Sequence, residues 1–294
     1  LITMEALFLR TLIFHLIGEN TGIHPMKFIN KIFFLTLFLT VGICWGNQIE
    51  IITTTSHIST IAQEIGQSKI KVSTLIPPGI CPGHYEIRPG DIKKLHTNGI
   101  LLYHGWEGFI DDIKSTVSDS NAKLFCIDIP GNWLIPDTQI KAAEKISNIL
   151  SMLDPSNKGV YLKNLASYTR RMLDLDRKIK NFIQCSKLQG IPVISSEILK
   201  DFLNYIGFNV IDTFGKDEEL TPNNLKHLID QAKLFNVKII ISNLQSGTNI
   251  GETISRITKK PHVVLSNFPG GFQNTETIEK TIMLNLILLK NAVR

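Results

Sequence analysis

The sequence predicts an α/β protein of two Rossmann-like lobes with mostly parallel sheets, joined by a long rigid linking helix, with a ligand cleft between the lobes. Three observations predict it. Short runs rich in Ile, Leu and Val alternate with segments of helical spacing from Asn47 onward, the alternation occurs twice, and an amphipathic stretch too long for an ordinary crossover separates the two series. The corresponding divisions are a leader over 1–46, a first lobe over 47–153, the linking helix over 154–187 and a second lobe over 188–294.

In the first series, Ile49 to Thr53, Lys71 to Ile76, Ile100 to Tyr103 and Lys123 to Asp128 read as strands. Ile58 to Ile65 has helical spacing and stops at Gly66, and Pro89-Gly90-Asp91 opens another helix with Leu95 on its apolar face. Strands that alternate with helices form parallel sheets covered on both faces. In the linker, Tyr161, Leu165, Tyr168, Met172, Leu175, Ile179 and Phe182 recur every three or four positions, which predicts one helix from Pro155 to Cys185. The second series has strand candidates at Ile191 to Ile194, Phe208 to Asp212, Lys238 to Ser242 and His262 to Ser266. Helices around Ile198–Ile206, Thr221–Phe235 and Gly251–Thr258 separate them, and Thr221-Pro222 is a good cap followed by a first-turn proline.

Composition narrows the function classes. The net charge of +5 is spread along the chain rather than gathered into a basic stripe with interleaved aromatics, so nucleic acid is not an expected partner. Lys27 and Lys31 precede an apolar run from Ile32 to Ile43, with small and polar residues near Gly46. That is the pattern of a secretory signal peptide, and the run is shorter than the about 20 residues of a membrane span. Met26 sits where such a peptide begins, which makes residues 1–25 an over-extended start. A retained membrane anchor, or lipidation at Cys44, is the alternative. Cleavage after Gly46 leaves Cys81, Cys126 and Cys185, an odd number and so no disulfide framework, although one pair could form outside the cytoplasm. Cys126 is expected in the core and Cys81 in a loop.

Ligands of open α/β sheets bind beyond the carboxyl ends of the strands. The loops expected there carry Ser56-His57, then Cys81-Pro82-Gly83-His84, then His104-Gly105-Trp106-Glu107, then Gly131-Asn132-Trp133. Of the six histidines after Asn47, three (His57, His84 and His104) fall at this edge, while His96, His227 and His262 fall on helices or at a strand start and are assigned to surface or packing. Neutral imidazoles are common transition-metal ligands, so three converging on one edge suggest a metal site. The second lobe offers Ser195-Ser196-Glu197, Asn243-Leu244-Gln245 and Ser266-Asn267. The expected ligand set is His57, His84, His104 and Glu197. Cys81 is a reserve ligand, and Asn132, Ser196, Asn243, Gln245 and Asn267 are supporting polar groups. Glu197 is equally well placed to act as a carboxylate in the first turn of a helix.

The stretch from Pro82 to Asp91, Pro-Gly-His-Tyr-Glu-Ile-Arg-Pro-Gly-Asp, is similar to the Pro-His-x-Tyr-Glu-x-x-Pro-x-Asp pattern of the metal-binding proteins of zinc- and manganese-type ABC importers. Leu153-Asp154-Pro155-Ser156-Asn157, with Tyr161 and Asn164, resembles the start of that family's linking helix, and the likeness runs over about residues 48–290. It implies two α/β lobes with a metal held between them. It also implies ligand positions at Gly83, Gly131, Ser196 or Glu197, and Ser266 or Asn267, where this chain departs from the family's histidines and acids.

The expectation is therefore a non-enzymatic, extracytoplasmic solute-binding protein, monomeric, that delivers a divalent transition metal to a membrane permease. Zinc is the first choice and manganese the second, with binding that fades as imidazoles protonate near pH 6. The same fold with a metal chelate or small polar organic ligand is the second reading. A metal-dependent hydrolase is the third, against which stand the missing HExxH and Gly-x-Ser-x-Gly motifs.

Overall fold

Two four-stranded sheets of identical strand order organise the chain. The computed structural model describes residues 48–96 and 99–293, so the expected signal peptide and Cys44 lie outside the described residues. In the first sheet, Ile49–Thr53 (β1) lies between Ile70–Thr74 (β2) and Ile100–Tyr103 (β3), and β3 pairs with Lys123–Cys126 (β4). In the second, Pro192–Ser196 (β5) lies between Asn209–Phe214 (β6) and Ile239–Asn243 (β7), and β7 pairs with His262–Leu265 (β8). Every pairing is parallel. The orders β2-β1-β3-β4 and β6-β5-β7-β8 each reverse direction once, between β1 and β3 and between β5 and β7. Connections leave such a pair in opposite directions and open a crevice at its carboxyl end.

The first lobe carries helices Ser56–Gly66 (α1), Pro89–His96 (α2), Ile110–Thr116 (α3) and Pro136–Leu153 (α4). The second carries Lys200–Tyr205 (α6), Pro222–Leu234 (α7), Asn249–Thr258 (α8) and Ile278–Val293 (α9). Between them runs Lys158–Ser186 (α5), 29 residues long, ended by Lys187 in the left-handed conformation at φ 54°. The family-like segment before it is a local lock. The Asp154 carboxylate accepts hydrogen bonds from Ser156 Oγ (2.5 Å), Asn157 Nδ2 (2.6 Å) and Tyr161 Oη (2.7 Å), which fixes the approach of the chain to α5. Asn164 Nδ2 then donates to the Ile65 carbonyl at 2.8 Å and ties α5 to α1.

The buried stripe of α5 is Tyr161, Tyr168, Met172, Leu175, Ile179 and Ile183, with Leu165 and Phe182 only partly buried. This stripe belongs to one continuous apolar cluster. It runs from Ile51, Ile58 and Leu102 in the first lobe, through Ile146 and Leu150 of α4, to Val193, Phe202, Ile239 and Leu286 in the second. Each sheet's other face has its own cluster, one around Ile52, Leu101 and Ile113 and one around Ile194, Leu228 and Ile240. The linking helix is thus part of the core rather than a free tether.

Two sequence expectations are corrected. Ser56-His57 is not a loop but the first turn of α1, because Thr55 leaves β1 extended and caps the helix at once. Cys126 is half-buried at the end of β4, where its Sγ donates to the His104 carbonyl at 3.2 Å. Among the described residues the cysteines, Cys81, Cys126 and Cys185, are all free.

Met172 is fully buried in the shared cluster. Met172→Ala is expected to cost about 2–5 kcal/mol. Because the cluster spans both lobes, urea denaturation followed by near- and far-UV circular dichroism should still give one transition. Two separated transitions would show that the lobes unfold independently.

Candidate functional site

The carboxyl edges of the two sheets face each other, as the bonds between their loops show. His57 in the first turn of α1 reaches the Asn267 carbonyl after β8 at 2.6 Å. Asn132, after β4, donates from Nδ2 to the Ile198 carbonyl after β5 at 2.7 Å and lies 3.4 Å from Asn267 Oδ1. Gln245, after β7, donates from Nε2 to the Pro78 carbonyl after β2 at 2.7 Å. The floor of the cleft is therefore a buried polar layer to which both lobes contribute.

His57 and His104 flank the reversal point of the first sheet, one following β1 and the other β3. They meet around Trp133, whose ring lies 5.6 Å from that of His57 and 4.4 Å, edge-on, from that of His104. Since a carbonyl can only accept, His57 Nε2 carries the proton given to Asn267 and Nδ1 is left to accept. Gln139 Nε2 stands 3.3 Å from Nδ1, while its Oε1 accepts from the buried Tyr168 hydroxyl at 2.7 Å. Both ring nitrogens of His57 are thus engaged. His104 Nε2 lies 2.8 Å from Thr55 Oγ1. Its loop is fastened by the buried Glu107 carboxylate, which accepts from Thr54 Oγ1 (2.5 Å), His104 N (2.9 Å) and Gly105 N (2.8 Å). Gly105, at φ 108°, makes the turn that places Trp106 outward, stacked on His104 at 4.9 Å.

Burial governs the charge of both imidazoles. It pushes His57 down to about 3, with nearby His104 lowering it further and the Asn267 carbonyl opposing, and it alone pushes His104 down to about 3. Both rings are neutral well below pH 6.

The other expected ligands lie elsewhere. His84 is on the exposed rim, in the turn Pro82–His84, and pairs with Glu218 Oε1 at 2.8 Å. Cys81 precedes that turn as a half-exposed free thiol, and Glu197 is exposed in the turn Glu197–Leu199. Among the described residues, no three His, Cys, Asp or Glu side chains gather so as to hold a metal ion. The expected set of His57, His84, His104 and Glu197 therefore does not form, because two members belong to the buried floor and two to the rim. Of the supporting groups, Asn132, Gln245 and Asn267 join the floor, and Ser196 is buried at the end of β5. Asn243 bonds Ser246 Oγ at 2.8 Å. Its Oδ1, with Ser56 Oγ and Ser195 Oγ, is a buried oxygen without a partner among the described residues. The roles of Gln139, Tyr168 and Glu107 at the site are not visible in the sequence. Glu107 stands three residues after His104, but only the fold shows its carboxylate turned inward.

The positions that the resemblance assigns to metal ligands have local reasons to differ. Gly131 has φ 100°, a conformation that a side chain resists, so its turn needs glycine. A Cβ on Gly83 would lie 3.0 Å from Lys216 Nζ, so any ligand there would face an ammonium group. Ser266 Oγ is occupied by the Phe268 carbonyl at 2.9 Å and by Gln245 Nε2 at 3.1 Å. The Tyr-Glu-x-x-Pro-x-Asp part of the pattern is structural, with Tyr85 Oη donating to Asp91 Oδ2 at 2.8 Å. A cavity of about 340 Å³ is lined by residues of α1, β2, the start of α9 and Tyr168. Its carboxylates are already paired, Glu64 and Glu279 with Arg171 and Glu276 with Lys280.

Two parallel-sheet lobes with opposed carboxyl edges, spanned by a helix built into the core, define a two-lobed solute-binding protein. The chain belongs to the family described as zinc-uptake complex component A, periplasmic, whose model matches residues 51–292. It is 26% identical over 245 residues to the metal ABC transporter substrate-binding lipoprotein FimA of Streptococcus parasanguinis, covering 74% of this chain and 79% of that one. To the manganese-binding lipoprotein MntA of Bacillus subtilis (strain 168) it is 24% identical over 239 residues, covering 74% and 78%. Among solved structures, it superposes on ZnuA with a TM-score of 0.72 at 19% identity, over 84% of this chain and all of that one. It superposes on the nickel complex of FpvC from P. aeruginosa with a TM-score of 0.70 at 23% identity, over 84% and 97%. These structural likenesses show the fold.

The buried imidazoles make stability depend on pH with a definite sign. Each has a folded-state value of about 3, below its unfolded value near 6.5. Their full contribution is present above pH 6.5. Between pH 6.5 and 3 the unfolded chain gains protons that the folded chain cannot take up. Stability should fall there by up to about 1.4 kcal/mol per pH unit for each imidazole. Urea midpoints between pH 7 and pH 4.5 should show this fall, and His57→Phe should reduce its slope. An unchanged slope would mean that His57 titrates as a solvent-exposed residue does.

Proposed function

We propose that the chain is the extracytoplasmic solute-binding component of an ABC importer and that its cargo is a divalent transition metal, zinc first and manganese second. The observation that carries this reading is the family match over 51–292, together with neutral imidazoles at the carboxyl edge of the first sheet. Relatives named as manganese- or metal-binding lipoproteins of ABC transporters support both the cargo and a membrane permease as partner. Export agrees with the signal-like segment before Asn47, and no helix among the described residues is long and apolar enough to cross a membrane. The unpartnered oxygens of Ser56, Ser195 and Asn243, at strand ends of both sheets, support a polar cargo. A binding role, not a catalytic one, follows from this reading.

His104 is the proposed ligand at the floor, while His84, Glu197 and the reserve ligand Cys81 stand along the rim and do not gather with it in one set. His57, with both nitrogens engaged, is assigned to positioning. Calorimetry and elemental analysis after reconstitution with Zn²⁺ or Mn²⁺ should give one ion per chain, and His104→Ala should weaken binding at least about tenfold. Failure of every tested divalent ion to bind stoichiometrically would remove the metal cargo and leave the family assignment standing.

A further inference from the structure

We propose that the cavity where α1, β2, α5 and the start of α9 meet is a second binding site, for a small organic ammonium ion with a short hydrocarbon portion. Its volume of about 340 Å³ falls at the lower end of the range of about 300–1,000 Å³ found for small-molecule sites. The first lobe supplies wall from α1 and β2, the linking helix supplies Tyr168, and the second lobe supplies residues 276–279. An occupant would thus touch both lobes and the helix that joins them. The floor side chains His57, His104, Asn132 and Gln245 take no part in the lining. The inference goes beyond the metal reading and stands whichever cargo the cleft takes.

The lining is rich in acceptors whose donors are committed elsewhere. Ser59 Oγ donates to the Ser56 carbonyl at 3.2 Å, Thr60 Oγ1 to the His57 carbonyl at 3.0 Å and Gln63 Nε2 to the Gln67 carbonyl at 3.1 Å. A hydroxyl has one proton, so Ser59 and Thr60 keep only lone pairs for an occupant. The Tyr168 hydroxyl donates to Gln139 Oε1 at 2.7 Å, which leaves its ring as apolar wall together with Val72 and Ile278. Charge points the same way. Arg171 Nη2 lies 2.9 Å from Glu64 Oε2, and its Nε lies 3.5 Å from Glu279 Oε1. One guanidinium therefore faces two carboxylates, an excess of one negative charge, while Glu276 is balanced by Lys280. Glu64 and Glu279 are both partly exposed and so open to an incoming ligand. An ammonium group meets all of these features. It carries one positive charge, it has three donors and no acceptor, and its alkyl stem can lie along the apolar wall. A divalent ion would leave that wall unused, and among the described residues no three His, Cys, Asp or Glu side chains gather to hold one.

Calorimetry and saturation-transfer NMR with n-butylammonium chloride as the probe test it, on the full chain in EDTA at neutral pH and low ionic strength. One n-butylammonium ion should bind per chain. The matched n-butanol and butyrate should bind at least about tenfold more weakly, since one lacks the charge and the other has the wrong sign. Glu279→Gln removes the excess negative charge and should weaken the probe by a similar factor. If that variant does not unfold cooperatively, Gln63→Lys, at an exposed position of α1, brings a competing ammonium to the cavity wall and takes its place with the same expectation. The EDTA measurement decides whether or not Zn²⁺ or Mn²⁺ binds in the cleft, so failure of the metal cargo and failure of this site are read separately. Absence of n-butylammonium binding overturns the proposal, as does equal binding of n-butanol or a folded variant that holds the probe as the wild type does. Displacement of the probe by Zn²⁺ or Mn²⁺ would give the carboxylates to a metal ion instead and overturns it too.

Discussion

The bond from the His57 ring to the Asn267 carbonyl can form only if two parallel sheets turn their carboxyl edges toward each other at close range. That requirement organises much of the molecule. It needs α1 to begin directly after β1, so that the ring emerges at the reversal point of the first sheet. It needs the chain after β8 to turn back over its own strand, which Ser266 and Asn285 arrange by exchanging bonds of 3.1 and 2.8 Å. It also needs the lobes held at a fixed spacing, and α5 does this by burying one face in a core common to both. Tyr168 connects the two levels, since it is packed in the α5 stripe and orients Gln139 behind the imidazole.

Membership in a metal-uptake family and a cleft floor made largely of amides, hydroxyls and neutral rings are reconciled by looking at individual positions. Where the resemblance expects an imidazole or a carboxylate, this chain has glycine in a left-handed turn, glycine beside a lysine, or serine inside a hydrogen-bonded loop. Amides and hydroxyls both donate and accept, so they can satisfy one another across the gap without charge. Carboxylates opposed across the same gap would repel unless a cation lay between them. The floor can therefore close on itself, with the Glu107 carboxylate satisfied by its own three donors, and Cys81, His84, Glu197 and Glu218 are left at the rim.

Much of the fold was legible because parallel strands buried on both faces read as plain apolar runs. β1 and β3 begin and end where their Ile- and Leu-rich runs do, and the spacing of Tyr161, Tyr168, Met172, Leu175 and Ile179 marks α5. α4 leaves a fainter pattern in the sequence. Its buried face includes Thr138, Gln139 and Ser147 among Ala142, Ala143 and Ile146, so polar residues blur the apolar period. The loss extended to the site, because Gln139 can be assigned a role only once it is known to lie on a helix facing α1. His57 and His104 were found by the rule that ligands gather at strand ends. His84 and Glu197 obeyed the same rule and still fell outside the floor, because sequence places a residue after a strand but does not say whether the loop folds inward or outward. In the loop of His104 that choice is made by Glu107, whose inward carboxylate gathers two main-chain amides and a threonine hydroxyl.

The same loop gives the cleft an optical probe of its own. Trp106 is 57% exposed and stacked on a neutral imidazole, whereas Trp133 is sealed within the floor at 6%. An indole bathed in water emits at longer wavelengths than one in a dry apolar setting, and contact with a histidine ring changes its brightness when that ring gains a proton or an ion. Both indoles touch the His104 ring, so their light registers events at that imidazole without any attached dye, the outer one at the longer wavelength.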